Sequence, residues 1–387
     1  MARQLSGDRR SVVIIAPCDD PHAVAVRSRI RQLYDESVDC WIVDAATFPI
    51  ASDIDFGLNG DHADMLFRVT DPLAGTIGDN APQILSRRVL SQRHHFYGKQ
   101  ISGVWWRRAR QCVTHPDVHI DEFQSFCART TASYLKAALT LLPTYNPIDV
   151  EETAARKPYQ LMVAKRLGLK IPRTLITCDS TAASVFANEV EMAGGEVIYK
   201  HASSVAFISM PTRVLSCADR NRMDGMRYAP TILQERIRGG VDLRVAVVGS
   251  QVFVCEWRDR DGNHDGVDIR FEHDVRMWNA RCSPALREQV LRIHQALGLT
   301  FGAYDFKRNS SGELFFLEVN PSGQWLDMEL EGGHSISEVW ATFLVEGITK
   351  MKCELPPLTM AELKAEEALQ MSIPKVWTSV GVSDGKH

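Results

Sequence analysis

The sequence lacks a strong excess of charge of either sign, and it lacks any long hydrophobic run. Among its 387 residues, 44 are Lys or Arg and 48 are Asp or Glu, which gives a formal net charge of −4. Binding along a nucleic-acid backbone needs a basic face, and a membrane-spanning helix needs about 20 consecutive apolar residues. Neither pattern occurs, so we expect no nucleic-acid partner and no membrane partner.

The nine cysteines form no recognisable cluster. They are odd in number, are spread from Cys18 to Cys353, and never occur as Cys-x-x-Cys. This spacing argues against a disulfide framework and against a structural zinc site. A reducing compartment fits these thiols best, and we therefore expect a cytoplasmic protein.

The start of the chain predicts an α/β domain. Residues 11–16 are a β-branched run typical of a buried parallel strand, residues 23–34 have helical spacing, and residues 40–43 predict a second strand. No Gly-x-Gly-x-x-Gly follows the first strand, so this β-α-β opening carries no dinucleotide fingerprint. Further on, the run Val104-Trp-Trp-Arg-Arg108 has two interpretations: a packed strand with solvated arginines, or a surface for a substrate or partner.

After residue 145 the pattern changes to helices and hairpins. The clearest signals are a proline in the first turn of a helix, glycines at helix ends and turns between apolar runs. They predict helices at 157–168, 180–193, 283–298 and 360–371, strands at 171–177, 196–200, 206–215 and 231–237, and hairpins at 243–257 and 301–319.

Three oxygen-bearing side chains are brought together by the second hairpin. Glu318 and Asn320 are two residues apart, so they share one face of a strand, and the hairpin places Asp305 on the neighbouring strand. Carboxylate and amide oxygens are the ligands that Mg²⁺ prefers in proteins. The alternative is an exposed sheet face with ordinary acids, but Asn-Pro after the acid and the matching Asp upstream favour a metal site.

A second group of residues surrounds a glycine pair. The segment from Gln234 to Ile237 is predicted to be extended, so its backbone could hydrogen-bond to an adenine edge while an aliphatic side chain packs on the ring. Asp242 follows the Gly239-Gly240 turn and could reach a ribose hydroxyl. Arg244 shares its strand face, and a guanidinium suits phosphate and carboxylate. The alternative is a hairpin edge with ordinary charges.

Two lysines complete the candidate set. Lys157 lies at a predicted helix start and Lys200 at a predicted strand end, where ammonium groups could bind nucleotide phosphates. The small residues after Lys200, at 201–205, could close over phosphates with their backbone N–H groups. Each lysine taken alone is also compatible with a solvated surface position.

These three elements, in this order, resemble the ATP-grasp superfamily over roughly residues 146–347. The resemblance implies an α/β and α+β chain with a pre-ATP-grasp α/β domain at 1–145, a central ATP-grasp subdomain (lid) at 146–235, a C-terminal subdomain at 236–350 and a tail at 351–387. It also implies roles for individual residues. Lys157 and Lys200 would contact phosphates, Glu235 and Ile237 would hold adenine, Asp242 the ribose, Asp305, Glu318 and Asn320 Mg²⁺, and Arg244 the γ-phosphate or acyl phosphate.

A narrower resemblance is to the graspetide synthetases, the microviridin-type ATP-grasp enzymes. It rests on Val104-Trp-Trp-Arg-Arg108, Asn146-Pro, Lys157-Pro-Tyr-Gln-Leu161, the segment from Gly168 to Thr177, and Asn320-Pro-Ser-Gly-Gln-Trp325. Two features depart from the family. The loop after Lys200 has Ser203 and Ser204 and no glycine, and the tail after about residue 351 has no evident counterpart.

The resemblance implies an ATP- and Mg²⁺-dependent ligase that acts on a ribosomal precursor peptide, made of a leader and a core. It would phosphorylate an Asp or Glu side chain and close an ester or amide ring. The alternatives are a ligase that joins free amino acids or extends a protein end, and a nucleotide-binding scaffold without catalysis. A homodimer is one candidate assembly.

Overall fold

The computed structural model describes residues 9–59, 62–70, 93–201, 211–258, 275–347 and 355–371. Contacts divide the chain into two compact units, one of residues 1–151 and 324–387 and one of residues 152–323. The division into four segments expected from the sequence stays a prediction. None of the described helices combines the length and the apolar character needed to cross a membrane.

The described residues form helices and strands with the following bounds. The helices are α1 (Pro21–Tyr34), α2 (Asp121–Thr140), α3 (Ile148–Ala154), α4 (Lys157–Arg166), α5 (Ser180–Met192), α6 (Cys217–Arg220), α7 (Pro284–Ala296), α8 (Leu326–Leu330), α9 (Ile336–Glu346) and α10 (Met360–Met371). The strands are β1 (Arg10–Ile15), β2 (Val38–Val43), β3 (Asp53–Asn59), β4 (His62–Thr70), β5 (Arg93–Tyr97), β6 (Ile101–Trp106), β7 (Thr144–Tyr145), β8 (Thr174–Thr177), β9 (Val197–His201), β10 (Arg213–Val214), β11 (Thr231–Glu235), β12 (Val241–Val248), β13 (Gln251–Arg258), β14 (Arg276–Asn279), β15 (Phe301–Arg308) and β16 (Leu314–Asn320).

The first unit contains a parallel sheet in the order β2-β1-β6-β7 and an antiparallel sheet in the order β3-β4-β5. Strand β1 is central and its apolar residues are buried, as expected for a β-branched strand covered on both faces. Asp20 caps α1 by accepting hydrogen bonds from the backbone N–H groups of His22 and Ala23. The predicted β-α-β opening is confirmed.

The end of β6 confirms the packed-strand interpretation of its Trp-Trp-Arg-Arg run in part, because Arg108 is exposed as expected and Arg107 is not. Trp105 is buried, as a packed strand requires, but Arg107 is buried too rather than solvated. Its Nε donates to Asp20 Oδ1 over 2.8 Å, which pairs the charge that burial would otherwise leave costly. The arginine after β6 therefore links this strand to the cap of α1.

The residues after 324 complete the first unit. Helix α9 is buried along most of its length. Helix α10 contacts α1 through Glu366, whose carboxylate lies 2.8 Å from Arg31 and 3.6 Å from Arg27. Glu329 accepts a hydrogen bond from the backbone N–H of Leu358 over 2.9 Å. The predicted helix at 360–371 is confirmed, while residues 372–387 lie outside the described residues.

The second unit contains two antiparallel sheets, in the orders β10-β9-β11-β8 and β14-β13-β12-β15-β16. Both predicted hairpins are confirmed as β12–β13 and β15–β16. The predicted strand at 231–237 is too long, because β11 ends at Glu235. Gly239 and Gly240 then adopt positive φ, and a Cβ at Gly240 would lie 1.8 Å from the Arg308 carbonyl oxygen. Only glycine can make so close an approach.

Candidate active site

Strand register in the five-stranded sheet brings the predicted acids together. Asp305 on β15 lies opposite Glu318 on β16, and opposite Arg244 on β12. The β15–β16 pairing is irregular directly after Asp305. Asn320, at the end of β16, lies opposite Ala303. The hairpin prediction for Asp305 and Glu318 is thus confirmed at the level of strand pairing.

Arg244 binds Asp305 with two hydrogen bonds. Its Nη1 lies 2.8 Å from Oδ1 and 2.9 Å from Oδ2. Burial raises the pKa of the Asp305 carboxyl, Arg244 opposes that rise, and the nearby charge of Glu318 adds to it. The guanidinium therefore stabilises a carboxylate that has a second negative charge as its neighbour.

Glu318 is flanked by both candidate lysines. The Lys157 Nζ lies 2.7 Å from Glu318 Oε2, and the Lys200 Nζ lies 3.9 Å from the same oxygen. Burial alone would raise the pKa of Glu318, but Lys200 and Lys157 outweigh burial and lower this pKa to about 2. Glu318 is consequently ionised at all physiological pH values, and neither lysine lies on a solvated surface remote from the acids.

Asn320 forms the corner that follows β16. Its Oδ1 accepts a hydrogen bond from the Ser322 N–H over 3.1 Å, and the Gly323 N–H donates to its carbonyl oxygen over 3.1 Å. A Cβ added at Gly323 would lie 2.4 Å from the Ala303 Cβ and 3.2 Å from Arg244 Nη2. The Asn-Pro-Ser-Gly run therefore makes a tight turn that packs directly beside Arg244, and only a residue without a Cβ fits at its end.

Asp242 has a partner that sequence reasoning missed. It lies opposite Lys307 in the β12–β15 register, and the Lys307 Nζ donates to its Oδ2 over 2.6 Å. Lys307 is almost completely buried. A signal was present, because Lys307 is two residues after Asp305 and shares its strand face. The site therefore contains a fourth cation, next to the residue predicted to hold a ribose.

Glu235 and Ile237 lie where the chain leaves the antiparallel four-stranded sheet of the second unit. The Glu235 N–H donates to the carbonyl of Arg173, the residue before β8, over 2.9 Å, which extends the β11–β8 pairing by one residue on the β8 side. Ile237 is half-buried and lies between two arginines, Arg236 and Arg238, that both contact the Glu196 carboxylate, at 2.8 and 2.7 Å. The connection is thus held by the two arginine side chains and by the Arg236 N–H, which donates to the Glu196 carbonyl over 2.8 Å.

Gln160 is a second residue that sequence reasoning missed. It lies on α4, three residues after Lys157, and its side chain bonds to both backbone groups of Val319, the residue between Glu318 and Asn320. Its place in the run Lys157-Pro-Tyr-Gln-Leu161 draws attention to the segment, but the residue type alone does not reveal this contact.

The structure brings five of the nine predicted site residues together as two sets of ion pairs on adjacent strands: Lys157 and Lys200 with Glu318, and Arg244 with Asp305. Asp242 and Asn320 are on the same strands as these ion pairs, Glu235 is the last residue of β11, and Ile237 is in the connection before β12. The proposed closing loop after Lys200 cannot be placed, since residues 202–210 lie outside the described residues.

The donor set suits Mg²⁺ bound together with phosphates. Asp305, Glu318 and Asn320 offer hard oxygen ligands, and Mg²⁺ commonly takes one or two carboxylates and completes its shell with phosphate oxygens and water. Within the described residues, no group of three or more His, Cys, Asp or Glu side chains could hold a metal by itself. Two carboxylates and one amide are the kind of donor set that fits a metal shared with a phosphate ligand.

No protein-family model matches the sequence, and no curated protein matches it. Solved structures do match. The macrocyclase MdnC from Microcystis aeruginosa MRC, bound with precursor peptide MdnA, is 23% identical, with a TM-score of 0.69 over 87% of this chain and 99% of that chain. A RiPP-associated ATP-grasp ligase of Chryseobacterium gregarium, in complex with ADP and a leader and core peptide, is 17% identical, with a TM-score of 0.71 over 90% and 99%.

A third match is the ATP-grasp ligase PsnB complexed with minimal precursor, Mg and ADP. It is 22% identical, with a TM-score of 0.65 over 90% of this chain and 100% of that chain. The chain has the ATP-grasp fold. This confirms the fold class predicted from the sequence. In this ATP-grasp fold, Lys200 is on the antiparallel four-stranded sheet of the second unit and Lys157 is on helix α4. The five-stranded sheet carries Arg244, Asp305 and Glu318.

Proposed function

We propose that the chain is an ADP-forming ligase that closes a side-chain ester or amide ring in a ribosomal precursor peptide. The observation that carries this proposal is the arrangement in which Arg244 binds Asp305 while Lys157 and Lys200 flank Glu318. Phosphoryl transfer needs cations for phosphate oxygens beside acids that hold Mg²⁺, and the arrangement supplies both. Further support comes from the similar structures, which are described as a macrocyclase and as ATP-grasp ligases with bound peptides.

The proposed reaction has two steps. An oxygen of a peptide Asp or Glu carboxylate attacks the γ-phosphorus of ATP, ADP leaves, and an acyl phosphate forms on the peptide. A Ser or Thr hydroxyl, or a Lys amine, of the same peptide then attacks the acyl carbon. Phosphate leaves with the bonding electrons, and the attacking group loses its proton. Because the peptide supplies both reacting groups, the protein acts by positioning them and by stabilising charge.

Mg²⁺ bound by Asp305, Glu318 and Asn320 would neutralise negative charge on the phosphates. When ATP binds, Lys157 and Lys200 contact its phosphate oxygens in place of the Glu318 carboxylate. The guanidinium of Arg244 offers paired N–H donors to the phosphoryl group during transfer.

The rest of the cleft would hold the nucleoside. Glu235 and Ile237 bind adenine, with the half-buried Ile237 side chain against the ring. Asp242 accepts a hydrogen bond from a ribose hydroxyl, and Lys307 fixes the orientation of its carboxylate through their 2.6 Å contact. We also propose a cytoplasmic location, supported by nine cysteines that are spread along the sequence and never occur as Cys-x-x-Cys.

The test uses the purified protein, ATP, Mg²⁺ and each small peptide encoded beside its gene that contains both Thr or Ser and Asp or Glu. We expect peptide-dependent ADP release and a peptide whose mass falls by one water for each ring closed. Fragmentation of the product after mild alkaline hydrolysis separates esters from amides. ADP release with free amino acids alone would instead favour the ligase that joins amino acids, and the absence of any release would favour a scaffold.

Matched variants tie the activity to the site. Asp305→Asn and Glu318→Gln should each abolish peptide-dependent ADP release while the protein stays folded, because each removes a charged metal ligand. Glu313→Gln is the control, since Glu313 is an exposed acid of the same hairpin that pairs with Lys170. Near-normal turnover in both site variants would overturn the assignment of the metal ligands.

A further inference from the structure

Gln160 uses its whole amide group in buried hydrogen bonds. Its side chain is on α4 and the residue is only 2% exposed. The Nε2 donates to the carbonyl oxygens of Ala154 and Val319, each over 2.7 Å, and the Oε1 accepts from the Val319 N–H over 3.0 Å. Both amide protons and the amide oxygen therefore have partners inside the second unit.

The contact with Val319 has the pattern of a strand pairing. Among the strands that the structure describes, β16 is the last of its sheet, so no described strand pairs with the backbone groups on its outer side. An amide that donates to a carbonyl and accepts from the N–H of the same residue satisfies both groups, as a paired strand would. Nearby, the Phe316 N–H donates to the Lys170 carbonyl over 2.8 Å. The outer side of β16 is thus held at two points, and Gln160 is the one beside the candidate metal ligands.

Val319 lies between the two candidate metal ligands of β16. Its neighbours on either side are Glu318 and Asn320, which are both candidate metal ligands. Lys157 precedes Gln160 by three residues, a spacing that puts both on one face of the helix. The same helix face therefore contacts the Glu318 carboxylate through Lys157 and the adjoining backbone through Gln160.

We propose that Gln160 is a positioning residue, which sets the backbone of β16 so that Glu318 and Asn320 present their oxygens to Mg²⁺ at the correct separation. This inference rests on the proposed function and deepens it. Mg²⁺ demands near-ideal octahedral geometry, so a small rotation of β16 about Val319 would weaken binding. Partners that orient metal ligands from behind typically change metal affinity by about 10- to 100-fold when they are removed.

The test measures metal binding without the peptide reaction. Mn²⁺ is titrated into the full-length protein with saturating AMPPNP and followed by electron paramagnetic resonance, and nucleotide affinity is measured separately without metal. Gln160→Met keeps the length of the side chain but removes all three hydrogen bonds. We expect its Kd for Mn²⁺ to rise by about tenfold or more, with a metal-free nucleotide affinity within about twofold of wild type. Gln160→Asn, which keeps the amide group but is too short to span the same partners, should show the same direction and covers the case in which Gln160→Met does not fold.

A matched control separates positioning from general loss of stability. Tyr304→Phe removes another buried hydrogen bond of the same unit, the 2.8 Å contact between Tyr304 and His294. We expect it to lower the unfolding midpoint and to leave the Mn²⁺ affinity unchanged. If the Gln160 variants bind Mn²⁺ as wild type does, or if Tyr304→Phe loses as much Mn²⁺ affinity as they do, Gln160 has no positioning role. A wild-type protein that binds neither Mn²⁺ nor AMPPNP would overturn the proposed function and this role together.

Discussion

The ammonium group of Lys157 lies 2.7 Å from the carboxylate of Glu318, so a candidate phosphate ligand is paired with a candidate metal ligand. Lys200 approaches the same carboxylate at 3.9 Å. Two positive charges beside one metal ligand oppose the binding of a free cation by electrostatic repulsion. Phosphates that attract the two lysines would release Glu318 for the metal, so metal and nucleotide should bind cooperatively.

This arrangement predicts a measurable coupling between Mn²⁺ and AMPPNP. In wild type we expect saturating AMPPNP to raise the Mn²⁺ affinity by about tenfold, a usual size for linked sites. Lys157→Met removes one competing charge, so it should raise the Mn²⁺ affinity measured without nucleotide and reduce the coupling. Isothermal titration with and without AMPPNP measures both quantities.

Lys170→Met is the control for this coupling. Lys170 pairs with the exposed Glu313, away from the acids of the site. The control should retain the coupling of wild type. An Mn²⁺ affinity in wild type that is the same with and without AMPPNP would show that the Lys157–Glu318 pair does not compete with the metal.

The sequence was most informative where the relevant contacts are local. Asp305 and Glu318 are joined by a short turn, and strand alternation decides which of their neighbours share a face. Regular alternation from the turn would place Asp305 opposite Leu317, and the irregularity directly after Asp305 places Glu318 opposite it instead. Alternation along β15 also puts Lys307 on the face of Asp305, but its pairing with Asp242 depends on the register between β12 and β15, which belong to different hairpins.

Contacts between distant segments could not be predicted in this way. Gln160 and Val319 are separated by 159 positions, and the pairing depends on how a helix packs against a strand edge. The end of β11 was missed for a related reason. An apolar residue such as Ile237 continues the strand pattern, but the close approach of Gly240 to the Arg308 carbonyl, which turns the chain, is a tertiary contact.

Ile237 provides a test of the predicted adenine site. Replacing it by Asp removes apolar contact and places a charge beside the base, which is costly in a half-buried position. We expect the KM for ATP to rise by about tenfold or more, with a smaller change in kcat, because the loss concerns ground-state binding. Ile237→Leu is the control and should leave KM near that of wild type. An unchanged KM in Ile237→Asp would place the adenine elsewhere.

His294 predicts a dependence of stability on pH. It lies on α7 with its Nδ1 2.8 Å from the hydroxyl of Tyr304, and burial lowers its pKa from 6.5 to about 4. Between these two values the unfolded chain binds a proton at this position and the folded chain does not. The free energy of unfolding should therefore fall as the pH is lowered from about 6.5 to 4, by up to about 3 kcal/mol from this group.

Urea denaturation at several pH values, compared between wild type and His294→Gln, isolates this contribution. Carboxyl groups titrate in the same range, so the relevant quantity is the difference between the two proteins at each pH. The variant should be less stable than wild type at pH 7.5 and should lose less stability on acidification. Parallel curves for the two proteins would show that the pKa of His294 is the same in the folded and the unfolded chain.

The final prediction concerns Arg244, whose Nη1 lies within 2.9 Å of both oxygens of Asp305. Lys at this position keeps the charge but loses the planar fork that can offer two parallel donors to a phosphoryl group. We therefore expect Arg244→Lys to bind ATP nearly normally and to lose kcat by about 10- to 1000-fold, the usual effect of removing one preorganised donor.

Arg308→Lys is the control, because Arg308 lies on the opposite face of β15 and pairs with Glu256. Single-turnover rates at saturating ATP and peptide measure the effect directly. A rate for Arg244→Lys within about twofold of wild type, a change in barrier below about 0.5 kcal/mol, would mean that Arg244 only neutralises Asp305 and does not act in the transfer step.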